Sequence, residues 1–181
     1  MGDELIENIS NYNLPVDIGV IAPSIISKRS LTDKNPKIIN RPSRLKMHFY
    51  KYFFMFKNLQ NIYIFIYLIK NNFKYFIQNK NVINSKIKST KIKNIYAPHG
   101  SFIIFTNNYF LNGGDFNYPC FLFNEEVFVA ESAINLNLKI IYDNKLTIYD
   151  EEHISTGLFR SKKIANHVAN SSSYIANKYF K

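Results

Sequence analysis

The spacing of hydrophobic positions changes from one segment of the chain to the next, and it predicts a succession of helices and strands. Residues 3–10 place their apolar side chains on one face of a short helix. A continuous apolar run at 18–22 predicts a strand that Pro23 ends. Residues 27–45 are rich in Lys, Arg and Pro and have little periodicity, which indicates a basic loop.

The second half of the chain continues this alternation with shorter apolar runs. The predicted elements are a strand at 101–106, a helical turn at 107–111 ended by Gly113 and Gly114, a helix at 124–136, strands at 139–143 and 146–150, and a C-terminal helix at 161–180. Because strands and helices alternate, the pattern predicts an α/β protein.

Residues 46–78 have a different pattern, in which aromatic and aliphatic residues recur every three or four positions. The pattern is longer than an ordinary strand, so helices are favoured, and lysines are interspersed among the apolar residues. Two interpretations stay open for this insertion. It is a helical hairpin packed on the domain, or an interfacial element whose aromatic side chains enter a membrane headgroup region while its lysines meet anionic lipid.

Composition limits the class of protein. The chain has 181 residues, of which 46% are hydrophobic and 20% charged, as expected for one globular domain. The net charge of +10 suits nucleic acid, anionic lipid or phosphorylated small molecules, although abundant Ile, Asn and Lys are also typical of AT-rich coding. A lone cysteine, Cys120, and an acidic start without a signal-peptide pattern predict a protein of the cytoplasm.

The first candidate site is the acidic pair Glu125 and Glu126, which follows Asn124 at the predicted start of a helix. The first turn exposes backbone N–H groups and the positive end of the helix dipole, and both favour carboxylates. One interpretation is that the pair only stabilises the helix. The other is that a carboxylate acts as a general base and takes a proton from an attacking hydroxyl group.

Two further polar clusters lie at the ends of predicted strands. His99, Gly100 and Ser101 open one strand, and the glycine allows a ligand to approach the backbone closely. Asp150 and Glu152 follow another strand, and their carboxylate oxygens are ligands that Mg²⁺ or Mn²⁺ prefers. The alternatives are a locally bonded histidine at a strand start and a solvated acidic loop.

In order and content, these clusters resemble the acceptor side of the family 2 glycosyltransferases. Those enzymes have an aromatic-rich segment ending in two acidic residues at a helix start, often a His-Gly-Ser element before it, and a Tyr-His-x-Glu sequence followed by Ser-Thr. The matching residues here are His99, Gly100 and Ser101, the run from Phe121 to Glu126, and Tyr149, Glu152, Ser155 and Thr156. Asp150 stands where the family has its histidine.

The resemblance implies a partial GT-A-like fold, the fold of nucleotide-diphospho-sugar transferases. Within a single incomplete domain at 1–181, it implies a helical insertion at 46–78, an acceptor and catalytic part at 95–160 and a C-terminal helix at 161–180. The implied roles are a catalytic base at Glu126 with Glu125 as its neighbour, acceptor binding by His99, Gly100 and Ser101, and metal binding near Asp150 and Glu152.

The family's nucleotide-sugar site lies on an N-terminal half that ends in Asp-x-Asp, and few residues precede the first predicted strand here. Two explanations stay open: the chain is a fragment of a longer glycosyltransferase, which we favour, or a separate chain supplies the donor-binding half. In both cases we expect a truncated glycosyltransferase that is inactive alone. Its complete form would use Mg²⁺ or Mn²⁺ and transfer a sugar from a nucleotide-sugar donor to a polysaccharide or lipid-linked glycan acceptor, at the inner face of the plasma membrane if 46–78 is interfacial. The alternative is a non-catalytic basic module that binds anionic membrane or, less in keeping with the resemblance, nucleic acid.

Overall fold

The predicted α/β class is confirmed. The computed structural model describes residues 14–28, 32–56, 59, 62, 92–151 and 162–181. In these ranges the chain forms four strands and four helices, in the order β1 (Ile18–Ser27), α1 (Arg44–Met55), β2 (Lys93–Ile95), β3 (Ile104–Phe105), α2 (Asn107–Leu111), α3 (Glu125–Asn135), β4 (Lys139–Asp150) and α4 (Lys162–Tyr179). The helix predicted at 3–10, most of the insertion beyond Phe56, and Glu152 lie outside the described residues.

The four strands form one mixed sheet in the order β2-β4-β1-β3. The central strands β1 and β4 are parallel, and each pairs with an antiparallel edge strand. Ile18 and Ile21 of β1 pack with Ile141 and Leu146 of β4 in a buried cluster. Branched side chains suit this position because they pack well on a pleated surface that is covered by other elements.

Strand β1 continues through Pro23 to Ser27, so the predicted strand end at Pro23 is wrong. Pro23 pairs with Asp143, whereas the next residue, Ser24, pairs with Thr147. This register shift leaves extra residues on β4, and such an irregularity tolerates a proline that cannot donate a ladder hydrogen bond. The same irregularity explains why two predicted strands form the single strand β4.

Helix α3 begins and ends within one residue of its predicted bounds. Val127, Ala130 and Ala133 are buried, as the helical period predicts. The preceding residue, Asn124, has a φ of 62°, which differs from the extended backbone of an ordinary N-cap. The side-chain Nδ2 of Asn124 donates a hydrogen bond to Ser171 Oγ of α4 at 2.9 Å.

The chain divides into two compact units. The described residues of the first unit come from Met1–Arg41, Ser89–Tyr118 and Glu125–Glu152, and they include the whole sheet with α2 and α3. Those of the second unit come from Pro42–Lys88, Pro119–Asn124 and His153–Lys181, and they include α1 and α4.

In the second unit, α1 packs along α4. Ser43 caps α1, since its Oγ accepts a hydrogen bond from the backbone N–H of Lys46 at 3.3 Å. The His48 ring donates from Nε2 to the backbone carbonyl of Phe180 at 2.8 Å, and Lys51 donates to Asn177 Oδ1 at 2.8 Å. Among the described helices, none has the length and apolar character needed to cross a bilayer.

Candidate active site

Glu126 lies in the first turn of α3, where its carboxylate approaches the backbone of Gly100. A Cβ atom added at Gly100 would lie 3.3 Å from Glu126 Oε1 and 3.4 Å from Cδ, so a larger residue there would crowd the carboxylate. Glu126 is half-buried. Within the described part of the chain, no group donates a hydrogen bond to this carboxylate. It therefore keeps its acceptor capacity for a ligand.

His99 is held in one tautomer by its neighbour Ser101. The backbone N–H of Ser101 lies 3.2 Å from His99 Nδ1, and Ser101 Oγ lies 2.8 Å from the same atom. A backbone N–H can only donate, so Nδ1 is an acceptor and the neutral imidazole carries its proton on Nε2. The site thus contains a neutral hydrogen-bond donor beside an anionic acceptor.

The pKa of His99 depends on burial and on four charged side chains near the ring. Burial lowers the pKa of His99, and the positive charges of Lys37 and Lys34 lower it further. The negative charges of Glu126 and Asp150 act in the opposite direction. The ring is consequently neutral at neutral pH, and residues from three separate predicted clusters lie close enough to influence one another.

Asp150 has a cationic partner in this arrangement. Lys34 Nζ lies 2.7 Å from Asp150 Oδ2, and both side chains are largely shielded from solvent. Nearby, Lys28 pairs with Glu151 at 2.7 Å on the surface.

The described residues do not by themselves fit the expected Mg²⁺ or Mn²⁺. They contain no group of three His, Cys, Asp or Glu side chains that could hold a metal ion, and Asp150 pairs with a lysine. Glu152, the other predicted ligand, lies outside the described residues. A metal ion at this position therefore stays a prediction.

The loop after β1 anchors His99. Asn35 is buried, and its Oδ1 accepts a hydrogen bond from the backbone N–H of His99 at 2.7 Å. Its Nδ2 donates to the carbonyl of Pro23 at 2.8 Å, which ties the loop to β1. Polar residues flanking a proline are a turn signal, but the sequence does not indicate what the turn contacts.

Asp33 fixes the same loop through both carboxylate oxygens. Oδ1 accepts from the backbone N–H groups of Ile25 and Asn35, each at 2.9 Å. Oδ2 accepts from Ser24 Oγ at 2.7 Å and from the Tyr142 hydroxyl at 2.6 Å. Burial and this hydrogen bond raise the pKa of Tyr142 to about 12. With four donors, Asp33 is a structural residue, and it positions the loop that carries Lys34 and Lys37.

Another carboxylate of α3, that of Glu131, also accepts several hydrogen bonds. Arg41 binds it in a bidentate manner, with Nε 2.8 Å from Oε1 and Nη2 2.9 Å from Oε2. The Tyr96 hydroxyl donates to Oε1 at 2.6 Å. These bonds fasten the end of the loop and the segment after β2 to α3, and so they hold the helix that carries Glu126.

The predicted acceptor-binding residues His99, Gly100 and Ser101 and the predicted base Glu126 therefore lie together in the first unit. The negative charge of Asp150 also raises the pKa of His99. Glu125 occupies the first turn of α3 beside Glu126 and is half-buried. In comparisons with known proteins, no family model, curated protein or solved structure matches this chain.

Proposed function

We propose that the first unit is the acceptor side of an inverting glycosyltransferase with a partial GT-A-like fold. The observation that carries the proposal is the Glu126 carboxylate, which lies at a helix start against a glycine backbone and has no donor among the described residues. A helix N-terminus favours the ionised form, as a general base requires. The neighbouring neutral His99 and exposed Ser101 supply groups that hydrogen-bond to sugar hydroxyls.

In the proposed reaction, the acceptor is the hydroxyl group of a glycan or lipid-linked glycan. Glu126 takes the hydroxyl proton as the oxygen attacks the anomeric carbon of a nucleotide-sugar donor. The bond from that carbon to the nucleoside diphosphate breaks, and the diphosphate leaves with the electron pair. His99 Nε2–H donates a hydrogen bond that orients the acceptor, and the glycine lets the acceptor approach the backbone.

The direct test is the substitution Glu126→Gln in the chain joined to the nucleotide-sugar-binding half of a family 2 glycosyltransferase. Glutamine keeps the size and position of the side chain but removes the proton acceptor. General-base catalysis typically contributes about 10²–10⁴-fold, so sugar transfer per folded molecule should fall by about that factor. The rate is measured with UDP-, GDP- and dTDP-sugars and a panel of glycan acceptors.

Glu125→Gln is the matched control, because it removes the same charge from the same helical turn and should give the smaller kinetic effect. A carboxylate that only stabilises the helix dipole contributes about 0.3–1 kcal/mol, so its loss would lower stability slightly without changing the rate per folded molecule. Equal transfer rates for Glu126→Gln and the parent would overturn the assignment of the base.

A further inference from the structure

Helix α1 has an apolar face that nothing in the described structure covers. Leu45, Phe49, Tyr52 and Phe56 recur at steps of four, three and four residues, so they form one line along the helix and its C-cap residue. Leu45 is 84% exposed, Phe49 61%, and the other two are each more than half exposed. We call these four residues the α1 stripe.

The stripe is distinct from the face that α1 packs in the second unit. Met47 is buried, and it is two residues from both Leu45 and Phe49. Two residues turn an α-helix by about 200°, so the buried and exposed apolar residues lie on opposite sides. Phe54, one heptad after Met47, is buried with it. A helix at the surface of a water-soluble protein normally presents polar residues outward, which makes the α1 stripe unusual.

The charges of α1 indicate what the stripe meets. The helix contains Arg44, Lys46 and Lys51 and no acidic residue. Lys46 Nζ lies 5.9 Å from the ring centre of Tyr50, and Lys51 Nζ lies 5.0 Å from that of Tyr52. Cations are thus interleaved with the aromatic residues, an arrangement that complements anionic lipid headgroups. A second copy of the chain would bring like charges together, which disfavours self-association through this face.

We propose that the α1 stripe docks on an anionic lipid bilayer, with the axis of α1 parallel to the membrane plane. The four apolar side chains would enter the boundary between headgroups and acyl chains, and Arg44 and Lys46 would meet the lipid charges. The twelve helical residues of α1 extend over about 18 Å, enough for three turns in contact with the surface. The inference stands on these residues alone and is independent of the reaction proposed for the first unit.

The test is co-sedimentation of the full 181-residue chain with vesicles of phosphatidylcholine and phosphatidylserine in equal parts. The double variant Leu45→Ser/Phe49→Ser should lower the partition coefficient by at least about tenfold, because two apolar side chains that would be buried in the membrane are replaced by polar ones. The matched control is Leu111→Ser/Phe116→Ser, which removes the same two residue types from exposed positions in the first unit. The control should bind like the parent.

The charge contribution is tested separately with Arg44→Gln/Lys46→Gln. Each basic residue near an anionic surface strengthens binding, so the affinity of this variant for the vesicles should be lower by at least about tenfold. Binding of the parent should also fall as salt rises and should be far weaker to vesicles of phosphatidylcholine alone.

Unchanged vesicle binding of Leu45→Ser/Phe49→Ser would overturn the proposal. So would a parent chain that stays in the supernatant and self-associates through α1 in sedimentation velocity. Circular dichroism verifies that the variants are folded. If the first double variant does not fold, Tyr52→Ser/Phe56→Ser applies the same criterion to the other half of the stripe.

Discussion

Two of the glutamates of helix α3, Glu126 and Glu131, lie five residues apart and have opposite chemical surroundings. Glu131 is 2% exposed, and Arg41 and Tyr96 together supply three hydrogen bonds to its carboxylate. Glu126 is half-buried against Gly100 and receives no hydrogen bond from the described residues. The first carboxylate has its donors within the protein and serves the fold, whereas the second is available to a ligand.

The difference follows from helix geometry as well as from position along the helix. Five residues turn an α-helix by about 140° beyond a full turn, so the two side chains leave α3 on different faces. Glu126 also lies in the first turn, where the helix dipole compensates its charge, while Glu131 lies beyond that turn and requires an explicit cation. The comparison separates a structural carboxylate from a candidate catalytic one.

The largest expected difference between Glu131 and Glu126 is in their contributions to the free energy of unfolding. Removing one partner of a buried ion pair costs about 3–5 kcal/mol, and because Arg41 is half-exposed we expect Glu131→Ala to lower the free energy of unfolding by about 2–3 kcal/mol. Glu126→Ala should lower it by less than about 1 kcal/mol. Urea denaturation of both variants measures the difference. Equal losses would show that the two carboxylates do not differ in structural role.

A smaller effect is expected at Tyr96. Tyr96→Phe removes the 2.6 Å hydrogen bond to Glu131 but leaves Arg41 in place. A hydrogen bond to a charged group contributes about 1.5–3 kcal/mol to the free energy of unfolding. Because Arg41 still binds Glu131 in the variant, we expect a loss below that range. Thermal denaturation at neutral pH measures this loss.

The same variant should change the alkaline limit of stability. Burial and the hydrogen bond to Glu131 raise the pKa of Tyr96 in the folded chain above its ordinary value. The contribution of Tyr96 is therefore complete below about pH 10, where the unfolded chain holds the proton, and it is lost as pH rises further. Tyr96→Phe should lack this alkaline loss. An identical alkaline profile in parent and variant would contradict the role of Tyr96.

The smallest effect concerns His99 and leaves the fold intact. Glu126 raises the pKa of His99 against the larger lowering by burial and Lys37, so Glu126→Gln should lower that pKa further. Lys37→Gln should raise it, and Glu131→Gln should leave it unchanged. NMR titration of the histidine ring measures the pKa, with His48 and His167 as internal controls. If Glu126→Gln leaves the pKa of His99 unchanged, His99 and Glu126 do not belong to the same site.

The lowered pKa of His99 also predicts the direction of acid sensitivity. The His99 ring binds a proton more readily in the unfolded chain than in the folded chain. The contribution of neutral His99 to stability is therefore complete above about pH 6.5, and it declines as pH falls toward the pKa of the folded chain. His99→Gln should reduce the loss of stability in that range.

Much of the candidate site is visible in the sequence because it depends on local rules. The start of α3 and the position of Glu126 in its first turn follow from two adjacent acidic residues and an apolar helical period. The end of α2 before Gly113 follows as well, since this glycine has a φ of 89° that other residues rarely adopt. The extension of β1 through Pro23 was missed because the tolerance for a proline there depends on a register shift in a partner strand.

The loop with Asp33 and Asn35 was missed for a related reason. Its bonds reach Tyr142 and His99, which are distant in sequence, and no periodicity in the loop indicates them. Local sequence shows a basic, proline-containing turn, and only the assembled sheet brings that turn to the start of the His-Gly-Ser segment.

The sequence by itself determined the α/β class, the approximate bounds of α3 and α4 and the candidate residues at the ends of elements, since these depend on periodicity and first-turn chemistry. Only the tertiary structure decided that Glu131 is bound by Arg41 and Tyr96 while Glu126 receives no hydrogen bond from the described residues, and which apolar face of α1 is buried. Both outcomes depend on burial and on partners such as Arg41, which lies far from Glu131 in sequence. A carboxylate or an apolar side chain acquires its role from the groups that surround it, and those groups meet only when the chain folds.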